Sequence, residues 1–105
     1  MSISLFIKCP KNAITKIYDL GGSNTINKSI APLALALALK ELSDLPSEVY
    51  VHPANLEVII GEVTALEGAM SATPGKWGDV LRNVEQIKLA LEQLRGQSDW
   101  EAFFG

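Results

Sequence analysis

The stretch Ile-Ala-Pro-Leu-Ala-Leu-Ala-Leu-Ala-Leu, from Ile30 to Leu39, is ten apolar residues in a chain that otherwise spaces its charges evenly. Leu and Ala are strong helix formers, and the alternation would suit a strand better only if its residues were β-branched. We therefore expect a helix that continues to about Ser43. At about 100° per residue its leucines lie on two opposite sides, which predicts a central helix buried between two layers. One side carries Leu33 and Leu37, and the other carries Leu35, Leu39 and Leu42.

Chain length and charge narrow the possible functions. A chain of 105 residues is expected to form one domain with a single core. Nine Lys and Arg are scattered among twelve Asp and Glu, so no continuous positive face is expected and a nucleic-acid partner is disfavoured. The apolar run is about half as long as a bilayer span requires, so no membrane partner is expected either.

Cysteine content and the amino terminus bear on cellular location. Cys9 is the only cysteine, which excludes an internal disulfide and fits a reducing compartment. Residues 1–8 lack the basic start, apolar stretch and cleavage site of a signal peptide, so we expect a cytoplasmic protein. The mean hydropathy of +0.18 is somewhat high for a small soluble domain. It predicts a surface that is covered by a protein partner or by a second copy of the chain.

Three segments have the character of β-strands. Residues from Ser2 to Lys8 alternate, with an apolar side chain at every second position from Ile3 to Ile7. After a turn at residues 9–12, the segment from Ala13 to Leu20 fits either a helical turn or a returning strand, and we interpret it as the second strand of a hairpin. The segment from Glu48 to His52 is rich in β-forming residues and predicts a third strand.

Two amphipathic helices are expected after His52-Pro53, separated by a loop at residues 71–75. Gly96 suits a left-handed cap at the end of the second helix, and residues 98–101 spell a capping box for a short terminal turn. The apolar stripes are Leu56, Ile59, Val63, Leu66 and Met70 in the first helix, and Trp77, Val80, Val84, Ile87, Leu91 and Leu94 in the second.

The predicted fold class is α+β. A small antiparallel sheet of two or three short strands packs on the central buried helix, and two further amphipathic helices complete the order ββαβαα before a short C-terminal turn.

The first amphipathic helix has an unusual back, formed by Gly61, Ala65, Gly68 and Ala72, which lie within about 40° of one another. Two glycines inside a helix cost roughly 1 kcal/mol each relative to Ala. This small-residue face could receive the last helix of the chain or a partner molecule, or the glycines could simply be tolerated.

Three aromatic residues, Trp100, Phe103 and Phe104, lie within the last six positions. Their spacing is that of anchors on one face of a helix, which could enter a groove on a partner or pack onto the core of this chain.

The segment Gly21, Gly22, Ser23 and Asn24 precedes a predicted helix, where free backbone N–H groups could attract an anion, with Lys28 close by. It lacks the spacing of a phosphate-binding loop, and a plain turn with a helix cap explains the same residues.

Cys9 and His52 are the only thiol and the only imidazole, and both lie at predicted strand ends. They could form a nucleophile and base if the fold brought them within hydrogen-bond distance. Packing of Cys9 as a small apolar group and capping of a helix by His52 are the competing interpretations. We expect no metal site, because the ligand spacing of such sites is missing, and no cofactor or catalytic residue.

These observations favour a small acidic, non-catalytic interaction module that binds a protein partner or forms a homo-oligomer, such as a regulator, inhibitor, immunity-type protein or assembly subunit. The expected interaction residues are Trp100, Phe103, Phe104, Gly61, Ala65 and Gly68. The alternative is a small enzyme or ligand-binding protein that uses Cys9, His52 or the segment from Gly21 to Asn24.

Overall fold

A computed structural model describes residues 2–45 and 47–105, without the side chain of Ser23. It contains the strands β1 (Ser2–Lys8), β2 (Lys16–Gly22), β3 (Val49–Val51) and β4 (Glu101–Phe104). These four strands form one antiparallel sheet in the order β2-β1-β4-β3. The α+β class is therefore confirmed, with four strands in place of the expected two or three.

Helices follow β2 and fill the chain between β3 and β4. A π-helical turn (Ile26–Ile30) joins the first two helices, and a 3-10 turn (Leu42–Asp44) precedes β3. The helices are α1 (Ser23–Thr25), α2 (Ala31–Ala36), α3 (Leu56–Ser71), α4 (Pro74–Trp77) and α5 (Asp79–Glu92).

The hairpin of β1 and β2 forms as its alternating sequence predicts. Ile3, Leu5 and Ile7 are buried on one face of β1, and β2 returns antiparallel beside it from Lys16. A register shift between Ile3 and Ser4 marks a bulge in this pair. The segment whose sequence fitted either a helical turn or a strand is thus mainly strand, because β1 offers it a backbone partner.

The C-terminal segment is a strand, and the predicted helical turn is wrong. β4 lies between β1 and β3 and pairs antiparallel with both. The capping box at residues 98–101 is a local signal, whereas the backbone groups of β1 and β3 offer β4 a ladder on each side. Pairing with distant segments therefore overrides the local preference.

Helices α3 and α5 cover one face of the sheet with the apolar stripes that their sequences predict. Most stripe residues are buried, and they join the sheet in one continuous core. The second predicted helix is split, because Gly78 adopts a φ of +53° between α4 and α5. Trp77 lies before this break and is still buried.

The leucine-rich stretch is not a central buried helix, which corrects the sequence-based expectation. Helix α2 ends at Ala36, and Ala38 adopts a left-handed φ of +56° soon after it. Leu35 is 72% exposed and Leu37 is 39% exposed. Because α3 and α5 already cover the buried face of the sheet, this segment has one side to bury rather than two. Its buried side consists of Ile26, Ile30, Ala34, Leu39 and Leu42.

Candidate functional site

The sheet face that α3 and α5 leave uncovered carries a row of large apolar side chains, one from each strand. The strand register places Phe6 beside Ile17 on β2 and beside Phe103 on β4, and it places Phe103 beside Tyr50 on β3. Side chains alternate between faces along a strand, so these residues point away from the core positions that flank them. We call Ile17, Phe6, Phe103 and Tyr50 the aromatic row.

The side chains of the aromatic row contact one another and remain open to solvent. The rings of Phe6 and Phe103 stack with centroids 5.0 Å apart and an interplanar angle of 18°. Tyr50 tilts against Phe103 at 5.9 Å. Ile17 is 61% exposed and Tyr50 is 55% exposed, while the two phenylalanines are half-buried. The outer face of an antiparallel sheet is commonly polar, so this contiguous apolar row is the candidate functional site.

Charged side chains lie on both sides of the aromatic row along the strand direction, with two lysines and one carboxylate on one side and two carboxylates on the other. Lys8 lies at one end of the face, beside Glu101 in the register, and Lys11 pairs with Glu101 at 3.6 Å. Asp19 and Glu48 lie at the other end, beyond Ile17 and Tyr50 respectively. We call these the basic end and the acidic end.

Two polar contacts fix the acidic end. The hydroxyl of Tyr50 donates a hydrogen bond to the Glu48 carboxylate at 2.5 Å. This bond, together with the negative charge of Glu48, raises the pKa of Tyr50 above its ordinary value of 10.0. The Ser4 hydroxyl lies 3.4 Å from a carboxylate oxygen of Asp19, to which it can donate. The acidic end is thus tied to the aromatic row through Tyr50.

The three C-terminal aromatic residues separate into two environments. Phe104 is 1% exposed and Trp100 is 7% exposed, so both belong to the core, and the indole Nε1 of Trp100 donates to the Gln97 carbonyl. Phe103 lies in the aromatic row. A strand sends consecutive side chains to opposite faces, whereas a helical turn would have kept all three together.

The small-residue face of α3 lies against solvent. Gly61, Ala65 and Gly68 are exposed, and a Cβ built on either glycine would meet no atom within 4 Å. Helix α5 therefore packs against the other side of α3, where Val63 and Leu66 are buried.

The segment from Gly21 to Asn24 is not a free loop. Gly21 and Gly22 are the last residues of β2 and pair with β1, and α1 begins directly after them. Asn24 is exposed, and the side chain of Ser23 lies outside the described part of the structure. The backbone here runs from a paired strand directly into a single helical turn. It therefore does not form the open loop of free N–H groups that the anion-binding hypothesis requires.

Cys9 and His52 line different clefts. Cys9 borders a cleft of about 540 Å³ between the β1–β2 hairpin and the end of α5, together with Lys16, Tyr18 and Asp99. His52 borders a separate cleft beside Tyr50 and Phe103. Strand β4 separates β1 from β3, which places their backbones about 10 Å apart. The fold thus does not bring the thiol and the imidazole into one cleft.

Sequence reasoning missed three members of the aromatic row, although each leaves a signal. Phe6 is an apolar residue on the otherwise polar side of the β1 alternation. Tyr50 stands between two valines that are buried on the opposite face, and Ile17 lies in the segment with the ambiguous pattern. The signal in each strand is a single residue, and only the register shows that the residues meet.

Within residues 2–45 and 47–105, no three His, Cys, Asp or Glu side chains lie close enough together to hold a metal ion. Over the same residues, each helix is too short or too polar to cross a bilayer. Comparisons with protein-family models, curated proteins and solved structures give no match to this chain.

Proposed function

We propose that this protein is a non-catalytic protein–protein interaction module whose open sheet face is its binding surface. The aromatic row is the observation that carries the proposal. Aromatic side chains bury a large area on binding and lose little conformational freedom, and they dominate the energy of many interfaces. Because β1 and β4 are central strands that pack on the core, the two phenylalanines are presented from a rigid base.

The charges of this face favour a protein partner over a nucleic acid. Aromatic side chains on a sheet can also stack on nucleobases, but such platforms work within a positively charged surface. This face carries two basic side chains, Lys8 and Lys11, and three carboxylates, those of Asp19, Glu48 and Glu101. A surface with more acidic than basic groups repels a phosphate backbone.

The catalytic alternative receives little support from the described residues. A nucleophile and its base must lie within hydrogen-bond reach, and Cys9 and His52 border different clefts. The cleft beside Cys9 contains one thiol and no imidazole among its described lining residues.

Site-specific photo-cross-linking in the cells that produce the protein tests the proposal. A photoreactive aromatic amino acid replaces Ile17 on the open face, and a matched variant carries it in place of Leu89 on α5. Both side chains are 61% exposed in the native chain, so they sample solvent equally. We expect a discrete protein adduct, identified by mass spectrometry, at position 17 and not at position 89. No adduct at position 17, or the same adducts at both positions, would contradict the proposal.

A further inference from the structure

We infer that a partner protein adds an extended segment to the free edge of β2, as a fifth and antiparallel strand of the sheet. The inference rests on the proposed function, since Ile17 belongs both to this edge and to the aromatic row. Three features support it: outward backbone groups on β2, a capped edge at β3, and the charges beside the outward groups.

The hydrogen bonds of β1 decide which backbone groups of β2 point outward. Ser4 and Gly105 exchange both of their N–H···O bonds at 3.0 Å, so the backbone groups of Ser4 face β4. The direction of these groups alternates along a strand, so Leu5 faces β2 and bonds with Tyr18, its partner in the register. The residues on either side of Tyr18 therefore turn their backbone groups away from β1.

Ile17 and Asp19 are these outward residues, and each offers one N–H and one C=O at the edge of the sheet. Over residues 2–45 and 47–105, no turn, cap or side chain supplies these four groups with a hydrogen-bond partner. Both residues are exposed, and the bulge ends the open stretch beyond Asp19. Two such residues, spaced two apart, present the hydrogen-bonding pattern that an added strand binds.

The opposite edge of the sheet is capped by a side chain. The Asn55 carboxamide donates to the Tyr50 carbonyl at 3.0 Å and accepts from the His52 N–H at 2.6 Å. It thus takes the place of a peptide group from a neighbouring strand, and β3 is only three residues long. β2 is seven residues long, and its described contacts include no such cap at Ile17 or Asp19. The sheet is therefore open to a further strand at β2.

The side chains of this edge specify the chemistry of the added strand. Directly opposed residues of an antiparallel pair share a face, so Ile17 favours an apolar or aromatic neighbour that extends the aromatic row. Asp19, on the same face, favours a lysine or arginine, and Lys16, on the other face, favours a carboxylate. Within the described residues neither Lys16 nor Asp19 forms an ion pair. From its N-terminus, the partner segment is therefore basic, unspecified, apolar and acidic.

The β2 strand of a second copy does not match this order. Pairing two β2 strands about Ile17 places Thr15 opposite Asp19 and Tyr18 opposite Lys16, so neither charge meets its opposite. Pairing about Tyr18 opposes Asp19 with Ile17 instead. Charge complementarity therefore favours a different protein as the partner.

NMR titration of the isotope-labelled chain with the peptide acetyl-Thr-Lys-Thr-Phe-Glu-Thr-amide tests the inference. In the antiparallel register the peptide's lysine lies opposite Asp19, its phenylalanine opposite Ile17 and its glutamate opposite Lys16. We expect saturable binding with a dissociation constant of about 0.1–1 mM, and amide shifts to lower field at Ile17 and Asp19. No binding up to about 5 mM would overturn the inference.

Methylation of single peptide nitrogens separates strand addition from contact through side chains alone. The N–H of the peptide's phenylalanine points at the Ile17 carbonyl, whereas the N–H of the threonine before it points to solvent. N-methylation of the phenylalanine should weaken binding about tenfold or more, and N-methylation of that threonine should change it less than about twofold. Equal affinities of the two methylated peptides would refute strand addition.

A charge reversal tests the register. The Asp19→Lys protein should bind this peptide about threefold more weakly or worse, and should prefer a peptide with glutamate in place of its lysine. Glu85→Lys on the exposed side of α5 changes the net charge equally and should keep the wild-type preference. If Asp19→Lys also keeps that preference, the antiparallel register and the inferred partner chemistry are refuted.

The cross-linking experiment separates this inference from the proposed function. An adduct at position 17, together with methylated peptides of equal affinity, would refute strand addition and leave the proposed function standing. The absence of any adduct at position 17 would refute both.

Discussion

Replacing Glu62 by Gln should lower the free energy of unfolding by about 1–2 kcal/mol, because its carboxylate holds the 3-10 turn against α3. Glu62 is 7% exposed, and one of its oxygens accepts from the backbone N–H groups of Glu41 at 3.1 Å and Leu42 at 2.9 Å. The second oxygen also accepts from Glu41 at 3.2 Å. Gln keeps the shape of the side chain but loses the charge and one acceptor.

Glu62→Ala should cost more, about 2–4 kcal/mol, because it leaves the buried N–H of Leu42 without this acceptor. Urea unfolding followed by tryptophan fluorescence measures both values, and a loss of 1–2 kcal/mol moves the midpoint by about 1 M. Glu85→Gln on the exposed side of α5 is the control, with an expected change below about 0.5 kcal/mol. If Glu62→Gln behaves like this control, the carboxylate does not hold the turn and the reasoning is refuted.

Three further predictions concern stability. Gly68→Ala should stabilise the protein by about 0.5–1 kcal/mol, because the new methyl group meets no atom within 4 Å; an unchanged or lower urea midpoint would contradict it. Ala38→Gly should also stabilise it, by about 0.5–1 kcal/mol, since Ala38 has a φ of +56°; a loss of stability would show that this conformation carries no strain. Glu57→Gln should destabilise the protein at neutral pH, because the Arg95 guanidinium binds the Glu57 carboxylate at 2.7 and 2.8 Å and lowers its pKa below 4.5. Because the folded-state pKa lies below the unfolded-state value, this contribution to stability is present above pH 4.5 and is lost as the pH falls through the folded-state pKa. The difference from wild type should therefore shrink as the pH falls below 4.5, and a difference that stays constant in acid would contradict this.

Sequence periodicity located the elements whose pattern is local. The alternation in β1 and the apolar stripes of α3 and α5 predicted both their type and their buried sides. Each of these elements buries one face, so its apolar residues recur at the spacing of a strand or of a helix, and that spacing is visible in the sequence.

The elements that sequence reasoning missed depend on distant partners. Phe103 and Phe104 have a helical spacing, yet β4 forms because β1 and β3 flank it. The leucine-rich stretch has the composition of a buried helix, yet Leu35 meets solvent because the covered face of the sheet is already filled by α3 and α5. Composition reports a tendency to be buried, whereas the neighbouring layers decide which side is buried.

The candidate site was predicted only in part for the same reason. Phe103 was identified from the aromatic content of the C-terminal segment, while Phe6 and Tyr50 join it through strand register. Register follows from pairing between segments that are far apart in the chain, which one sequence does not display.

Chemical-shift changes of the isotope-labelled protein, recorded residue by residue by NMR as an extract of the cells that produce it is added, test most directly whether the open sheet face is a binding surface. We predict that the changes cluster at Ile17, Tyr50 and the residues beside them on the open face, while Gly61 and Leu89 on the helical side keep constant shifts. Changes confined to the helical side would contradict the account.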